Sequence, residues 1–377
     1  MKIKILCVLI CVLVIGNLNA QNTDSPERFV VPMSYVLRPV PPPRVIDIPN
    51  VGEFRVLKGD FHIHTLFSDG DVMPRDRVLE AIDSGLDVIA ITDHIEVQNR
   101  IGGRAPVKLS DAKNDDFNYA YELAKAEGDR QKLLVIPGTE ITRKAFPPGH
   151  FVVLFTRDVN PIAAAVDDWR KMVEVAVSQG AFILWAHPGW IAPGNGGLEK
   201  GQPMFLPKEI VEIHQKGWVH GMEAFNWSEF SPLVPDWCNE MDLAVFANSD
   251  LHASEANWYG FQNPQRPMNL ILARERTVES VKEALFAKRV IGWAAGNLWG
   301  RKESMMPLFD ACVSIETAAG KAKLTNRSDI PCTISYAGKT LELAPKGMVE
   351  FTLEPNQKTL TILNWFVGTD KPLEKNI

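Results

Sequence analysis

Imidazoles and carboxylates recur at short intervals along this chain. His62-Ile63-His64 is followed by Asp69-Gly70. Then come Thr92-Asp93-His94, Gly138-Thr139-Glu140, His150, Ala186-His187-Pro188 and Ser249-Asp250-Leu251-His252. Residues two apart on an extended segment point to one side, so His62 and His64 present both rings to the same face. Asp250 and His252 repeat that spacing. Together His62, His64, Asp69, His94, Glu140, His150, His187, Asp250 and His252 make a donor set suited to divalent zinc, manganese or iron. Without an ion, burying them would bring like charges and unsatisfied donors together at a cost of roughly several kcal/mol each. The other two histidines, His214 and His220, lie outside the pattern and read as surface or core residues.

Most of these residues sit at the ends of β-branched runs. Strands are expected over 60–64, 88–92, 133–139, 151–155, 182–186, 221–225, 244–248 and 268–272. Helical patterns intervene at 75–84, 117–127, 162–178, 207–216 and 278–288. That alternation is the rhythm of βα units on a parallel sheet, and so many repeats favour a closed barrel. Barrel strand ends are where this architecture builds active sites. After about residue 301 short alternating runs (312–316, 332–336, 341–343, 349–353, 359–363) predict a small antiparallel β domain. The expected organisation is an α/β chain: a leader at 1–20, a Pro-rich arm at 21–56, a barrel at 57–300 and a β-rich domain at 301–377.

The composite order His-x-His, Asp-Gly, Asp-His, Gly-x-Glu, His, His-Pro, Asp-x-His resembles the PHP (polymerase and histidinol phosphatase) superfamily of metal-dependent phosphoesterases. The resemblance spans roughly residues 58–293 and fills all nine ligand positions. It implies a distorted (β/α)7 PHP barrel with a three-metal cluster. One ion would take His62, His64, Glu140 and Asp250. A second would share Glu140 and add His150 and His187, and a third would take Asp69, His94 and His252. Asp69 stands where some relatives carry histidine, an exchange of one ligand for another. The leader and the C-terminal β domain further resemble secreted phosphodiesterases of that superfamily.

The ligand chemistry leads to the same reaction class. Clustered dications lower the pKa of a bridging water and neutralise phosphoryl oxygens during displacement. In the arrangement the resemblance implies, Glu140 bridges two ions, and Glu140 and Asp250 are the carboxylates expected at the reacting atoms. Asp93 takes either a place behind the ligands or a helix cap. For substrate contacts, Arg100 and Arg104 lie in the segment 98–111 after His94, and Arg143 and Lys144 follow Glu140. Arginine clamps phosphate with paired hydrogen bonds. A second Gly-containing insertion, 189–205, follows His187. Trp190, Trp227 and Trp258 are candidates to stack on a base or sugar, whereas Trp185, inside a strand run, reads as core.

Composition sets the outer bounds. With 377 residues, 46% apolar and 23% charged, the chain is globular, and a net charge of −6 argues against tracking a nucleic-acid backbone. Lys2 and Lys4, the apolar run 5–15 and Leu18-Asn19-Ala20 read as an export signal cleaved near Ala20, which places the protein outside the cytoplasm. No interior apolar run reaches the roughly 18 residues of a membrane span. Of the cysteines beyond the leader, Cys312 and Cys332 are the pair available for a disulfide in an exported protein. The expectation is an exported enzyme using two to three divalent ions on small phosphodiesters. Phosphomonoester hydrolysis and a non-catalytic scaffold remain the alternatives.

Overall fold

In the computed structural model, which describes residues 42–96, 116–259 and 265–377, the chain enters the sheet at β1 (Arg55–Asp60). It continues through α1 (Pro74–Asp83), β2 (Val88–Ile91), α2 (Tyr119–Gln131), β3 (Leu134–Ile141) and β4 (Phe151–Leu154). Next come α3 (Asn160–Ala163), α4 (Trp169–Ser178), β5 (Phe182–Trp185), α5 (Lys208–Gln215), β6 (Gly221–Asn226), β7 (Glu229–Phe230), α6 (Val234–Glu240) and β8 (Ala244–Asn248). Residues 43–377 pack as one unit. The expected leader and most of the arm, together with Arg100 and Arg104, lie outside the described residues.

β1, β2 and β3 pair in parallel, as do β5, β6 and β8. Every residue of β2, β4 and β5 is buried, as expected where both faces of a sheet are covered. β4 departs from the expected parallel run, being antiparallel to both β3 and β5. The connection 142–150 is too short for the crossover a parallel pair requires. Side chains from β1, β2, β3, β4, β5 and β8 meet in one core cluster. Between β1 and β8 the seam is held by an isolated parallel bridge, Ile63 to Leu251. Two hydrogen bonds accompany it, His64 N–H to Leu251 O and Asp250 N–H to His62 O, each 2.9 Å.

The expected strand over 60–64 is displaced, since β1 ends at Asp60. Beyond it, side-chain oxygens replace the ladder: Phe61 N–H donates to Asn248 Oδ1 (3.1 Å), Ile63 N–H to Thr92 Oγ1 (2.8 Å) and Thr65 N–H to Asp93 Oδ1 (2.7 Å). The expected helix over 162–178 is two pieces. Asp168 caps α4 by accepting from Arg170 N–H at 3.0 Å, and a cap with extended backbone cannot lie inside a helix.

Past β8 and α7 (Glu255–Tyr259), β9 (Met268–Ala273) runs antiparallel to β1 rather than adding another parallel repeat. α8 (Val278–Phe286), β10 (Val290–Ala294) and β11 (Asn297–Gly300) follow, then α9 (Lys302–Cys312), a helix the alternating pattern does not predict. β12 (Val313–Ala318), β13 (Lys321–Asn326) and β16 (Met348–Thr352) form a separate antiparallel sheet. β14 (Cys332–Tyr336), β15 (Lys339–Leu343), β17 (Thr359–Phe366) and β18 (Pro372–Asn376) are also antiparallel among themselves. They join the main sheet where β17 pairs in parallel with β11. Cys312 and Cys332 are not paired: both are free buried thiols, as is Cys238, and burial pushes the Cys312 thiol up to about 11. Among the described residues no helix is long and apolar enough to cross a membrane.

Candidate metal centre

All nine sequence-derived ligand positions fall within the described residues, and they lie at one end of the strands. His62 and His64 follow β1, His94 follows β2, Glu140 closes β3, His187 follows β5, and Asp250 and His252 follow β8. His150 precedes β4. Because β4 runs backwards, its start lies at the same end as the finish of its neighbours.

The first set is tight. His62 Nε2 lies 3.5 Å from Glu140 Oε2 and 3.2 Å from Asp250 Oδ1; His64 Nε2 lies 3.4 and 3.0 Å from the same atoms. Ligands about 2.0–2.1 Å from one tetrahedral ion stand roughly 3.3 Å apart, so these spacings fit a shared dication. The other carboxylate oxygen, Glu140 Oε1, faces His150 Nδ1 (2.9 Å) and His187 Nε2 (3.7 Å). Asp69 Oδ1 lies 3.3 Å from both His94 Nε2 and His252 Nε2, with His64 Nδ1 at 4.0 Å. His64 is thus near two sets, and its Nε2 aims at the first. His94 is likewise shared, its Nδ1 lying 2.7 Å from Glu140 Oε2.

Burial tests whether these residues suit an ion. His62 Nε2, His64 Nε2, both Glu140 oxygens, His150 Nδ1 and Asp250 Oδ1 are buried without a hydrogen bond. Native proteins satisfy nearly all buried polar atoms. Six such atoms converging on one another is the pattern that dications resolve, and the donor set fits.

The surrounding protein aims these ligands. His62 Nδ1 is 2.9 Å from Glu223 Oε1, His150 Nε2 donates to Asn195 O at 2.9 Å, and His252 Nδ1 donates to Asp250 O at 2.8 Å. In each ring one nitrogen is engaged by the protein and the other is left facing the cluster. Glu223, inside β6, also accepts from Asn248 Nδ2 (2.8 Å), Asn226 Nδ2 (2.8 Å) and His187 N–H (2.9 Å). The sequence reading missed Glu223; its signal is a lone charged residue in a strand whose other polar side chain is Asn226. It also missed buried Arg77, which donates to the backbone oxygens of His64 (2.9 Å), Leu251 (3.0 Å), His252 (2.8 Å) and Ala253 (2.8 Å). Arg77 so ties together the two ligand-bearing loops. Asp93 is not a ligand: it accepts from Thr65 Oγ1 (2.7 Å) and Ser68 Oγ (2.6 Å), bracing the loop to Asp69. Gly196, at φ +90°, lies so close that a Cβ would come within 2.6 Å of His150 Nε2.

The charges are mutually dependent. Burial opposes ionisation of Glu140, yet His94, His62 and His150 hold it well below the usual carboxylate range. Burial also works against Asp250, which His62, His64 and His252 hold down likewise. Burial, His252 and His94 push His64 down to about 3, keeping its lone pairs free. His62 is raised because Asp250, Glu223 and Glu140 together outweigh its burial.

Lys144 lines the cavity of about 350 Å³ that contains Glu140, His150 and Asp250. Arg143 does not line it; its guanidinium lies 5.6 Å from the Trp169 ring centroid. Trp185 is buried in the core, its Nε1 donating to Pro148 O at 2.8 Å. Outside the cluster, His214 Nε2 donates to Met241 O at 2.7 Å and His220 Nδ1 accepts from Ile183 N–H at 3.0 Å.

Comparison with known proteins places the chain beside PHP-type proteins. The model of the PHP domain matches residues 60–167, which hold six of the nine candidate ligands; His187, Asp250 and His252 lie beyond it. An uncharacterised protein of Methanocaldococcus jannaschii is 27% identical over 212 residues, 53% of this chain and 83% of that protein. A solved two-domain structure from Bacteroides vulgatus, described as containing a PHP-like metal-dependent phosphoesterase, superposes with a TM-score of 0.79. It is 28% identical, and the match covers 90% of this chain and 99% of that one.

Proposed function

We propose that this chain, which carries a PHP domain, is a metal-dependent phosphoesterase that hydrolyses small phosphodiesters with two to three divalent ions. The observation that carries the reading is the convergence of six buried, unbonded ligand atoms from His62, His64, Glu140, His150 and Asp250. Divalent ions bound there would activate water near neutral pH and neutralise phosphoryl oxygens. In the protein, Glu140 and Asp250 hold the negative charge that keeps the ions together, with one Glu140 oxygen turned to each side. Lys144, at the rim, offers a cation to an entering phosphate. The diester preference is part of the proposal and rests on the resemblance of the sequence to secreted phosphodiesterases. A cavity that shares His187, Trp190, Asp250 and His252 with the one holding the cluster gives an alcohol arm of the ester its own space. Export is part of the proposal and rests on the leader sequence alone.

Paired hydrolysis of p-nitrophenyl phosphate and bis-p-nitrophenyl phosphate, after reconstitution with manganese or zinc, tests it. Faster turnover of the diester is expected. A faster monoester overturns the diester preference, and no hydrolysis of either overturns the phosphoesterase reading.

A further inference from the structure

Beside the metal centre lies a cavity of about 390 Å³ walled by Trp190, Trp227 and Trp258 and floored by His187, Asp250 and His252. We propose that it is an aromatic-ring subsite, taking the planar ring of the alcohol portion of the ester; this rests on the phosphoesterase reading. Three observations point to a ring.

The first is exposure. Trp227 leaves 41% of its surface in solvent at this cavity, although its backbone is fixed: its N–H donates to Asn248 O at 3.1 Å. Large side chains left wet beside a reaction site mark contact surfaces. The second is orientation. The Trp227 and Trp258 rings lie 5.4 Å apart and tilted by 56°, and Trp258 is nearly parallel to His252, 18° apart at 6.1 Å. Trp190 stands opposite, 4.9 Å from the His187 ring. The third is backbone strain: His187, Trp227 and Asp250 have φ of 30°, 54° and 52°, a region that bulky residues seldom occupy. Strain gathered on one cavity's lining is expected where the walls serve a ligand.

The lining decides between a ring and a bare sugar. Sugar hydroxyls need several polar partners, but the lining is mostly indole surface: the Asn226 NH2 is committed to Glu223, and away from the cluster its oxygen, the Glu229 carboxylate and the indole N–H groups are the polar atoms that remain. A planar ring needs only faces to stack on. Because His187, Asp250 and His252 belong to the cluster, a ring seated here holds its attached phosphate against the ligands.

The test compares diesters that differ in one alcohol of similar leaving ability: the methyl esters of benzyl phosphate and of a nucleoside 5′-monophosphate against the methyl ester of ribose 5-phosphate. With the metal-reconstituted protein, kcat/KM for at least one ring-bearing ester should exceed that for the ribose 5-phosphate ester by about tenfold or more, in line with stacking on aromatic side chains. Whichever ring is preferred identifies the source as aryl or nucleobase. In Trp227→Leu and Trp258→Leu the ratio should fall towards one through KM, while Trp218→Phe, with Lys216 over its ring, keeps it. Equal rates for ring-bearing and ring-free esters, or a ratio unchanged in both leucine variants, overturns the subsite. If no ester is hydrolysed, the diesterase reading fails separately and binding decides the subsite. Quenching of tryptophan fluorescence by adenosine or phenol but not ribose, lost in the leucine variants, supports it. Equal response to all three overturns it.

Discussion

Replacing Glu223 with glutamine should weaken metal binding although Glu223 faces no ion. Its two oxygens take four donors, from His62, Asn248, Asn226 and the His187 backbone, at 2.8–2.9 Å. A carboxylate has lone pairs for all four, whereas glutamine accepts with one oxygen and turns an NH2 towards two of the donors. Two buried donors are orphaned, each costing about 1–3 kcal/mol, so stability should fall by about 2–6 kcal/mol. His62 also loses the charge that fixes its ring and makes Nε2 a stronger donor. Loss of such a partner typically costs 10–100-fold in metal affinity, about 1.4–2.7 kcal/mol. Competition against a fluorescent chelator gives the affinity, and thermal unfolding with and without metal separates it from folding. Folded Glu223→Gln that binds metal within about threefold of wild type would refute the reasoning, because His62 would then be aimed by packing alone.

Elemental analysis after reconstitution should find two to three ions per chain, and fewer than one would reject a multinuclear centre. Glu140→Gln keeps the size of the side chain but removes the charge facing two ligand sets, so turnover should fall at least about a hundredfold. His214→Ala, away from the cluster, should stay within a few-fold, and a wild-type rate in Glu140→Gln refutes the bridging role. Burial lowers His220 to about 4. Below the ordinary value near 6.5 the unfolded chain therefore takes up a proton that the folded chain refuses. The contribution is fully present above pH 6.5 and is lost as the pH falls to about 4, a change of up to about 3 kcal/mol. The stability–pH curves of wild type and His220→Gln should diverge across that interval, and parallel curves would discount the shift.

The candidate cluster is legible because its members are chemically costly residues placed where strands end. His62, His64 and Asp250 have no cheap reason to share a buried site, so their types alone mark it. Glu223 and Arg77 carry comparable weight yet leave little trace. Each acts through partners far away in sequence: Glu223 lies 161 residues from His62, and Arg77 lies 175 from His252. A guanidinium on an amphipathic helix is also what an ordinary surface residue looks like, and one carboxylate in a short buried strand has no spacing to mark it. The displaced start of β1 has a similar origin. Alternation from Asp60 to His64 reads as a strand, but past Asp60 the oxygens of Asn248, Thr92 and Asp93 take the amides of Phe61, Ile63 and Thr65, and ladder pairing shrinks to the isolated Ile63–Leu251 bridge.

His150 draws the strongest link between local chain length and chemistry. In a wholly parallel barrel a residue just before a strand lies at the end away from the active site, so His150 would be stranded some four residues of strand from Glu140. The connection 142–150 is too short to cross the sheet, which forces β4 to return antiparallel beside β3. That reversal carries the start of β4 to the catalytic end and sets His150 Nδ1 2.9 Å from Glu140 Oε1. Asn195, from the insertion after β5, then accepts from the opposite nitrogen. A loop length and one backbone carbonyl thereby bring a histidine that would be misplaced into the candidate cluster, and lengthening the connection enough to admit a crossover would remove it from the site.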